Sequence, residues 1–423
     1  MPAHPPTIVV ISQVYVPDPT AVGQHMHDAC AELARRGYRV IVYTSRRGYD
    51  NPRTAYKRRE TLDGVHIRRL HLSSFGKRSI KVRLAAQLIF LFQAVLRASL
   101  TRNFKTVLVT TSPPMGGVAG LLLKRLRGAK IRFWAMDINP DQAILMGKTT
   151  EDALVARAFN RMNRMLLRES EHVIALDHFM AGRLQTKYPG AYAQGHMSII
   201  PPWPLGDHLE PIAHEDNPFR KEFGLVDQFV IMYSGNISPA HRIDTVLDAA
   251  KQFKDHPRLT LLFIGGDEAR QRIDAYAQEH GLTAILRTLP YQPLDQIKYS
   301  LSAADVHLVS MGEQMAGIVH PCKIYGAMAV ARPVLFCGIP ECHIGEIVDR
   351  FDFGRTIPHG DTDAAARAIQ YVLDQDPADL QEIGQRARDA MLKHYDKNTL
   401  CNQLCDLVEP TPPPGAMQTG LDG

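Results

Sequence analysis

Short apolar runs alternate with amphipathic stretches along most of this chain of 423 residues. The run TIVVIS, Thr7 to Ser12, has the unbroken hydrophobic character of a strand covered on both faces. A loop rich in turn residues, VYVPDPTAVG, leads into a helical pattern from about Gln24 to Arg36. Gly37 closes that helix before the next apolar run, RVIVYTS (Arg39 to Ser45). The result is a βαβ unit with a loop at the carboxyl end of its first strand. Strand-type runs recur at VHIRRLHL (Val65 to Leu72), TVLVTTS (Thr106 to Ser112), IRFWAMD (Ile131 to Asp137), HVIALD (His172 to Asp177) and SIIPPW (Ser198 to Trp203). Helical stretches separate most of them, which predicts a doubly wound sheet.

After a polar connector the pattern starts again. FVIMYSG (Phe229 to Gly235) precedes a helix from about Ile243 to Phe253, and LTLLFIGG, AILRTL, DVHLVSM, PVLFCG and GRTI follow with helices between them. The predicted fold class is α/β, with two facing Rossmann-like doubly wound domains and a cleft between them. Residues 1–205 form the first domain and 206–385 the second; helices over 386–408 are free to return to the first domain, and 409–423 reads as a disordered tail. Open parallel sheets bind ligands outside the carboxyl ends of their strands, so the cleft is the expected site.

Composition adds one asymmetry. Up to Leu205 there are 30 Lys+Arg against 13 Asp+Glu, a charge of +17; the remainder carries 19 against 31, a charge of −12. A basic first half suits phosphate, an acidic membrane surface or nucleic acid, or simply scattered solvated side chains. The cysteines show no CxxC pair or zinc spacing, and MPAHPP lacks a charged-then-apolar leader pattern, so a reducing, cytoplasmic setting is expected. The most apolar window, Leu84 to Leu96, has 13 uncharged residues between Arg83 and Arg97, short of the roughly 20 needed to cross a bilayer. Lys77, Arg78, Lys81 and Arg83 precede it, and Arg97, Arg102 and Lys105 follow. Such a segment is either an internal helix or one lying at an anionic membrane surface.

Candidate chemistry gathers at a few loops. In HPCKIYG, Pro321 suits a helix start, which puts Lys323 in the first turn, where the macrodipole disfavours a cation. A bound anion is one reason for a lysine there; a solvated surface side chain is the other. Asp137 ends a strand at the cleft, placed either to hydrogen-bond a hydroxyl or to cap the turn INPD. The loop around Gly23 joins a strand to a helix, so its N–H groups can face an anion, though any tight turn also takes glycine. DTD, Asp361 to Asp363, reads as a helix N-cap and not as a metal motif. No GxGxxG follows the first strand, which disfavours a nicotinamide enzyme, and the 18 histidines show no HExxH spacing, so neither metal nor cofactor is expected.

Four segments, VYVPDPTAVGQHMHDACAELARRGYRVIVYTS, MYSGNISPAHRIDTVLDAA, LPYQPLDQIKYSLSAADVHLV and VHPCKIYGAMAVARPVLFCGIP, together resemble the GT-B-type glycosyltransferases. The likeness is to retaining nucleotide-sugar enzymes of the family-4 type that build bacterial surface polysaccharides, and it runs from Ile8 to about Leu407. It implies transfer of a sugar from a nucleotide-diphosphate donor, held by the second domain, to a sugar or lipid-linked acceptor handled by the first, at the inner face of the membrane and without nucleic acid. Gly23 matches the family's glycine. Asn236 and His241 stand where relatives carry an arginine and a lysine for the diphosphate, leaving Arg242 and Lys323 as the cations; Asp137 stands where a His or Asp lies close to the reacting sugar. Tyr291 matches a loop flanking the nucleotide base. The family's paired glutamates are replaced by Ile318 and Gly326, so backbone groups of Ala316 to Val319, Ile318 and Val319 among them, are left to line the donor site, with Glu313 a substitute acid. Two other readings stand beside it: a non-catalytic nucleotide-sugar-binding subunit, which the missing Arg, Lys and Glu positions suggest, or an epimerase or hydrolase of the same fold, for which few cleft carboxylates are visible.

Overall fold

A computed structural model describes residues 6–18, 20–48, 53–71, 80–191, 195–205, 209–238 and 240–409. Strands β1 (Thr7–Ile11), β2 (Arg39–Ser45), β3 (Arg59–Leu62), β4 (Val65–Leu70), β5 (Phe104–Thr110), β6 (Lys130–Trp134), β7 (Ser170–Ala175) and β8 (Met197–Ile199) form one sheet in the order β3-β4-β2-β1-β5-β6-β7-β8. A second sheet contains β9 (Phe229–Ser234), β10 (Leu259–Ile264), β11 (Leu286–Leu289), β12 (Val306–Ser310), β13 (Val334–Cys337) and β14 (Gly354–Ile357), ordered β11-β10-β9-β12-β13-β14. Every pairing is parallel except β3 with β4. Strand order reverses between β1 and β5 and again between β9 and β12. Loops leave in opposite directions at those points and open a crevice at the strands' carboxyl ends.

Three local details depart from the pattern. β3 is absent from the sequence expectation because RETL is polar and lies exposed at the sheet edge, where no face is buried. Asp63 and Gly64, with φ of 48° and 78°, form the tight turn that folds β3 back on β4. β8 stops at Ile199, since Pro201 and Pro202 have no N–H to continue the ladder. The first helix begins at Ala21, before the expected Gln24, because the Thr20 hydroxyl accepts the Gly23 N–H at 3.2 Å and caps it early.

The largest apolar core runs across both domains, from the first sheet through the helix Lys323–Ala329 to the C-terminal helix Lys397–Val408. That last helix lies on Ala21–Arg35: the Cys405 thiol donates to the Ala29 carbonyl at 3.5 Å, and Arg36 reaches Asp406 and Glu409, each at 2.7 Å. The helix Ile80–Ser99 buries Phe90, Leu91, Ala94 and Ala98 but turns Leu84, Leu88, Phe92 and Leu96 outward, one every fourth residue. It is therefore both internal and outward-facing, and Lys77 and Arg78 lie outside the described residues. No described helix is long and apolar enough to cross a membrane.

Candidate active site

Lys323 is the first residue of the helix Lys323–Ala329, with Cys322 as its N-cap and Pro321 just ahead. Its side chain lies across the turn that follows β9. A Cβ added to Gly235, whose φ is 130°, would come within 2.6 Å of the lysine Cε. Nζ sits 5.2 Å from the centre of the Tyr233 ring, and the Tyr233 hydroxyl donates to the Asn236 carbonyl at 2.9 Å. Lys323 thus stands over the point where β9 and β12 diverge, where an open α/β sheet receives its ligand. No described residue forms an ion pair with it. Burial lowers its pKa to about 8, with the Cys322 thiol a smaller opposing influence.

The neighbouring candidates divide. His241 accepts or donates at Nδ1 with the Ser238 hydroxyl at 2.9 Å. Burial first, and the Lys323 charge second, hold its pKa well below the usual histidine value, so it is neutral and contributes hydrogen bonds, not charge. Arg242 differs from Lys323: its guanidinium is exposed and lies 3.8 Å from Asp244. Asn236 is exposed on the same turn, and Tyr291 is 42% exposed with its ring edge 3.6 Å from where a Gly266 side chain would begin. Tyr291 thus lies beside the turn that follows β10.

Ile318 and Val319 present neither a side chain nor an unbonded N–H to the site. Both side chains are buried in the core, and both backbone N–H groups already bond the Met315 carbonyl, at 2.9 and 3.2 Å. The Ile318 carbonyl accepts the Ile138 N–H at 3.0 Å across the domain seam. Gly317, at φ 68°, lies so close to the first domain that a Cβ would reach 2.7 Å from the Phe179 carbonyl oxygen. This loop is a contact between domains, which sequence pattern does not reveal. At Gly326 an added Cβ would come within 3.2 Å of Leu301 Cδ1, a tight contact. Glu313 is exposed. Gly23 lies within the first turn of its helix, where a Cβ would come 2.9 Å from the Thr20 hydroxyl and 3.1 Å from Tyr15 Cα; its smallness serves the loop's own packing.

From the first domain, Asp137 follows β6. Its N–H donates to the Thr111 hydroxyl at 3.2 Å, and its carboxylate makes no hydrogen bond to a described residue, which removes the capping role. Burial alone raises its pKa to about 6. Both Asp137 and Lys323 act electrostatically on the Cys322 thiol, whose pKa burial raises to about 12. The carboxylate comes from the first domain and the lysine from the second. Thr111 and Tyr233 escaped the sequence reading because both look like ordinary strand residues. Asp361 caps its helix as expected, accepting the Ala364 N–H at 2.8 Å.

Between about 6 and about 8 the carboxylate is ionised while the lysine still holds its proton. If both forms are needed, activity per free enzyme rises through the first value and falls through the second. A pH profile of kcat/KM for the donor checks this, and an alkaline limb unmoved by Lys323→Arg would contradict it.

Residues 20–203 match the model of the glycosyl transferase 4-like domain, and residues 215–390 match that of the glycosyl transferases group 1. The chain belongs to this glycosyltransferase family. The probable glycosyltransferase WbjE of Pseudomonas aeruginosa is 25% identical over 338 residues, 79% of this chain and 82% of that one. The putative colanic acid biosynthesis glycosyl transferase WcaI of Escherichia coli (strain K12) is 25% identical over 372 residues, 81% of this chain and 86% of that one. Among solved structures, Anabaena HepE in complex with UDP and glucose superposes with a TM-score of 0.70 at 16% identity, covering 95% of this chain and 98% of that one. The last likeness shows the fold alone. This glycosyltransferase thus has the GT-B arrangement, two Rossmann-like domains with Lys323 and Asp137 on opposite sides of the cleft.

Proposed function

We propose that this glycosyltransferase moves a sugar from a nucleoside diphosphate donor to an acceptor hydroxyl, with retention at the anomeric carbon, during assembly of a surface polysaccharide. Lys323 carries the reading: a desolvated lysine without an ion-pair partner among the described residues, over the β9 and β12 divergence, suits a ligand that brings two phosphates. As the bond from anomeric carbon to diphosphate breaks, negative charge builds on the leaving oxygen and Lys323 stabilises it. The acceptor oxygen bonds to the same face of the sugar, and its proton passes to the departing phosphate. Asp137 orients a sugar or acceptor hydroxyl, and Tyr291 borders the base. UDP-linked sugars lead the donor panel because HepE is bound to UDP and glucose, and the polysaccharide setting follows WcaI.

Turnover of UDP-, GDP- and ADP-linked sugars with sugar and lipid-linked acceptors, read by nucleoside diphosphate release and by NMR of the product anomer, tests it. Release above the buffer rate with the donor's configuration kept is the expected result. Donor binding with no turnover across the panel would instead mean a binding subunit, and interconversion of the donor without acceptor an epimerase.

The acceptor side is proposed to rest on an anionic membrane at the cytoplasmic face. Leu88, Phe92 and Leu96 are 49%, 69% and 50% exposed, and Leu122 and Leu126 on the adjacent helix Gly116–Arg127 are 43% and 60% exposed. Arg102, Lys105 and Arg125 are exposed around them. Apolar side chains flanked by cations suit an anionic interface, each cation adding about 1 kcal/mol. Cosedimentation with phosphatidylglycerol vesicles at low salt should fall at least about tenfold in the double variant Leu88→Ser, Phe92→Ser. Equal binding to neutral and anionic vesicles would exclude the electrostatic part.

A further inference from the structure

A second polar cluster lies at the domain seam, apart from Lys323 and Asp137. Asp177 follows β7 in the first domain; His320 and His343 belong to the second. All three are buried. His320 Nδ1 is 2.7 Å from Asp177 Oδ2, and its Nε2 is 2.8 Å from the Tyr325 hydroxyl. His343 Nδ1 points at the same Asp177 oxygen from 3.4 Å, and the two imidazoles stack with centres 3.6 Å apart. His343 is the unexplained member. Its side chain is only 5% exposed, yet neither ring nitrogen has a hydrogen-bond partner. A buried polar group left unpaired is unfavourable, and here it is aimed at a carboxylate and a second imidazole.

We propose that Asp177, His320 and His343 form a transition-metal site, suited to zinc, that joins the two domains. One carboxylate and two imidazoles are a donor set that zinc takes readily and magnesium or calcium does not. The ligand atoms all lie within 4.8 Å of one another. Around tetrahedral zinc they would be spaced by about 3.3–3.5 Å, so the His343 to Asp177 contact already fits and the His320 to Asp177 contact must open by under about 1 Å. The stacked rings must also fan apart, so that their in-plane lone pairs converge on the ion.

Outer contacts suit the same role. Tyr325 fixes His320 through Nε2, leaving Nδ1 for the metal, while Asp177 Oδ1 accepts the Met180 N–H at 2.7 Å and holds the carboxylate in place. A cavity of about 240 Å³, bordered also by His178, Glu346, Arg350 and Tyr395, opens onto the cluster and has room for a water as fourth ligand. Cys342 is excluded, because its thiol accepts the Gly345 N–H and donates to the Ile339 carbonyl. His320 precedes Lys323 by two intervening residues, so an ion here would couple domain closure to the donor site. The sequence expectation of no metal rested on local spacing, whereas Asp177 and His320 are 143 positions apart.

The test uses the full, untagged chain after removal of metal. Cobalt(II) should bind at one strong site with the intense visible bands of tetrahedral coordination, zinc should displace it, and zinc should raise the melting temperature. His343→Phe, which keeps a stacking ring, and Asp177→Asn, which keeps an acceptor for the Met180 N–H, should each abolish the bands and the zinc-induced rise. Only weak octahedral-type bands in the wild type, or full bands in both variants, would overturn the proposal; the wild-type spectrum decides even if a variant fails to fold.

Discussion

Lys323→Ala lowers turnover of the donor by about 10²–10³-fold, the loss expected when one preorganised group stops stabilising a departing anion. Burial lowers the lysine pKa to about 8, so the folded chain holds this proton less well than the unfolded one. The charged form thus opposes folding below that pH, and the opposition fades as pH rises through the folded value. Removing the side chain should therefore leave the melting temperature at pH 7 unchanged or slightly higher. Kinetics and calorimetry on the same preparation separate this from a general loss of structure. A variant with near-normal kcat/KM would remove Lys323 from the reaction.

Asp137→Asn is expected to lower kcat by about 10²-fold, with little change in donor KM, as follows for a carboxylate proposed to orient a hydroxyl and not to hold the diphosphate. Its pKa is raised to about 6 by burial, so the folded chain binds this proton more tightly than the unfolded one. Stability falls as pH rises from the ordinary carboxylate value through the folded one, and ionised Asp137 opposes folding above it. The variant should then lose the acid limb of the kcat/KM profile without losing stability at pH 7. A lower melting temperature with intact kcat would mean that Asp137 has only a structural role.

The alternation of apolar runs and amphipathic stretches made both sheets legible, since buried parallel strands must be apolar and crossover helices must show one apolar face. The place of Lys323 was legible for a different reason: Pro321 suits a helix start, and a lysine opening that helix conflicts with local electrostatics. Side-chain direction was not. Arg242 is adjacent to His241 in sequence, yet it pairs with Asp244 in solvent while His241 faces Lys323. Contacts across the seam left no trace in periodicity either, because the bond from Ile138 to Ile318 and the pair of Asp177 with His320 join segments far apart in the chain. At Gly23 the structure shows a glycine that its own loop packing requires, and a glycine required by a ligand would look the same in sequence.

The central claim is that Lys323 meets the donor's diphosphate, and isothermal titration tests it through a double comparison. The nucleoside diphosphate of the preferred donor and its monophosphate are each titrated into the wild type and into Lys323→Ala. In the wild type the diphosphate should bind roughly ten- to a hundredfold more tightly, as a charge-assisted hydrogen bond allows, and in the variant the two ligands should bind alike. An undiminished preference for the diphosphate in Lys323→Ala would contradict the account.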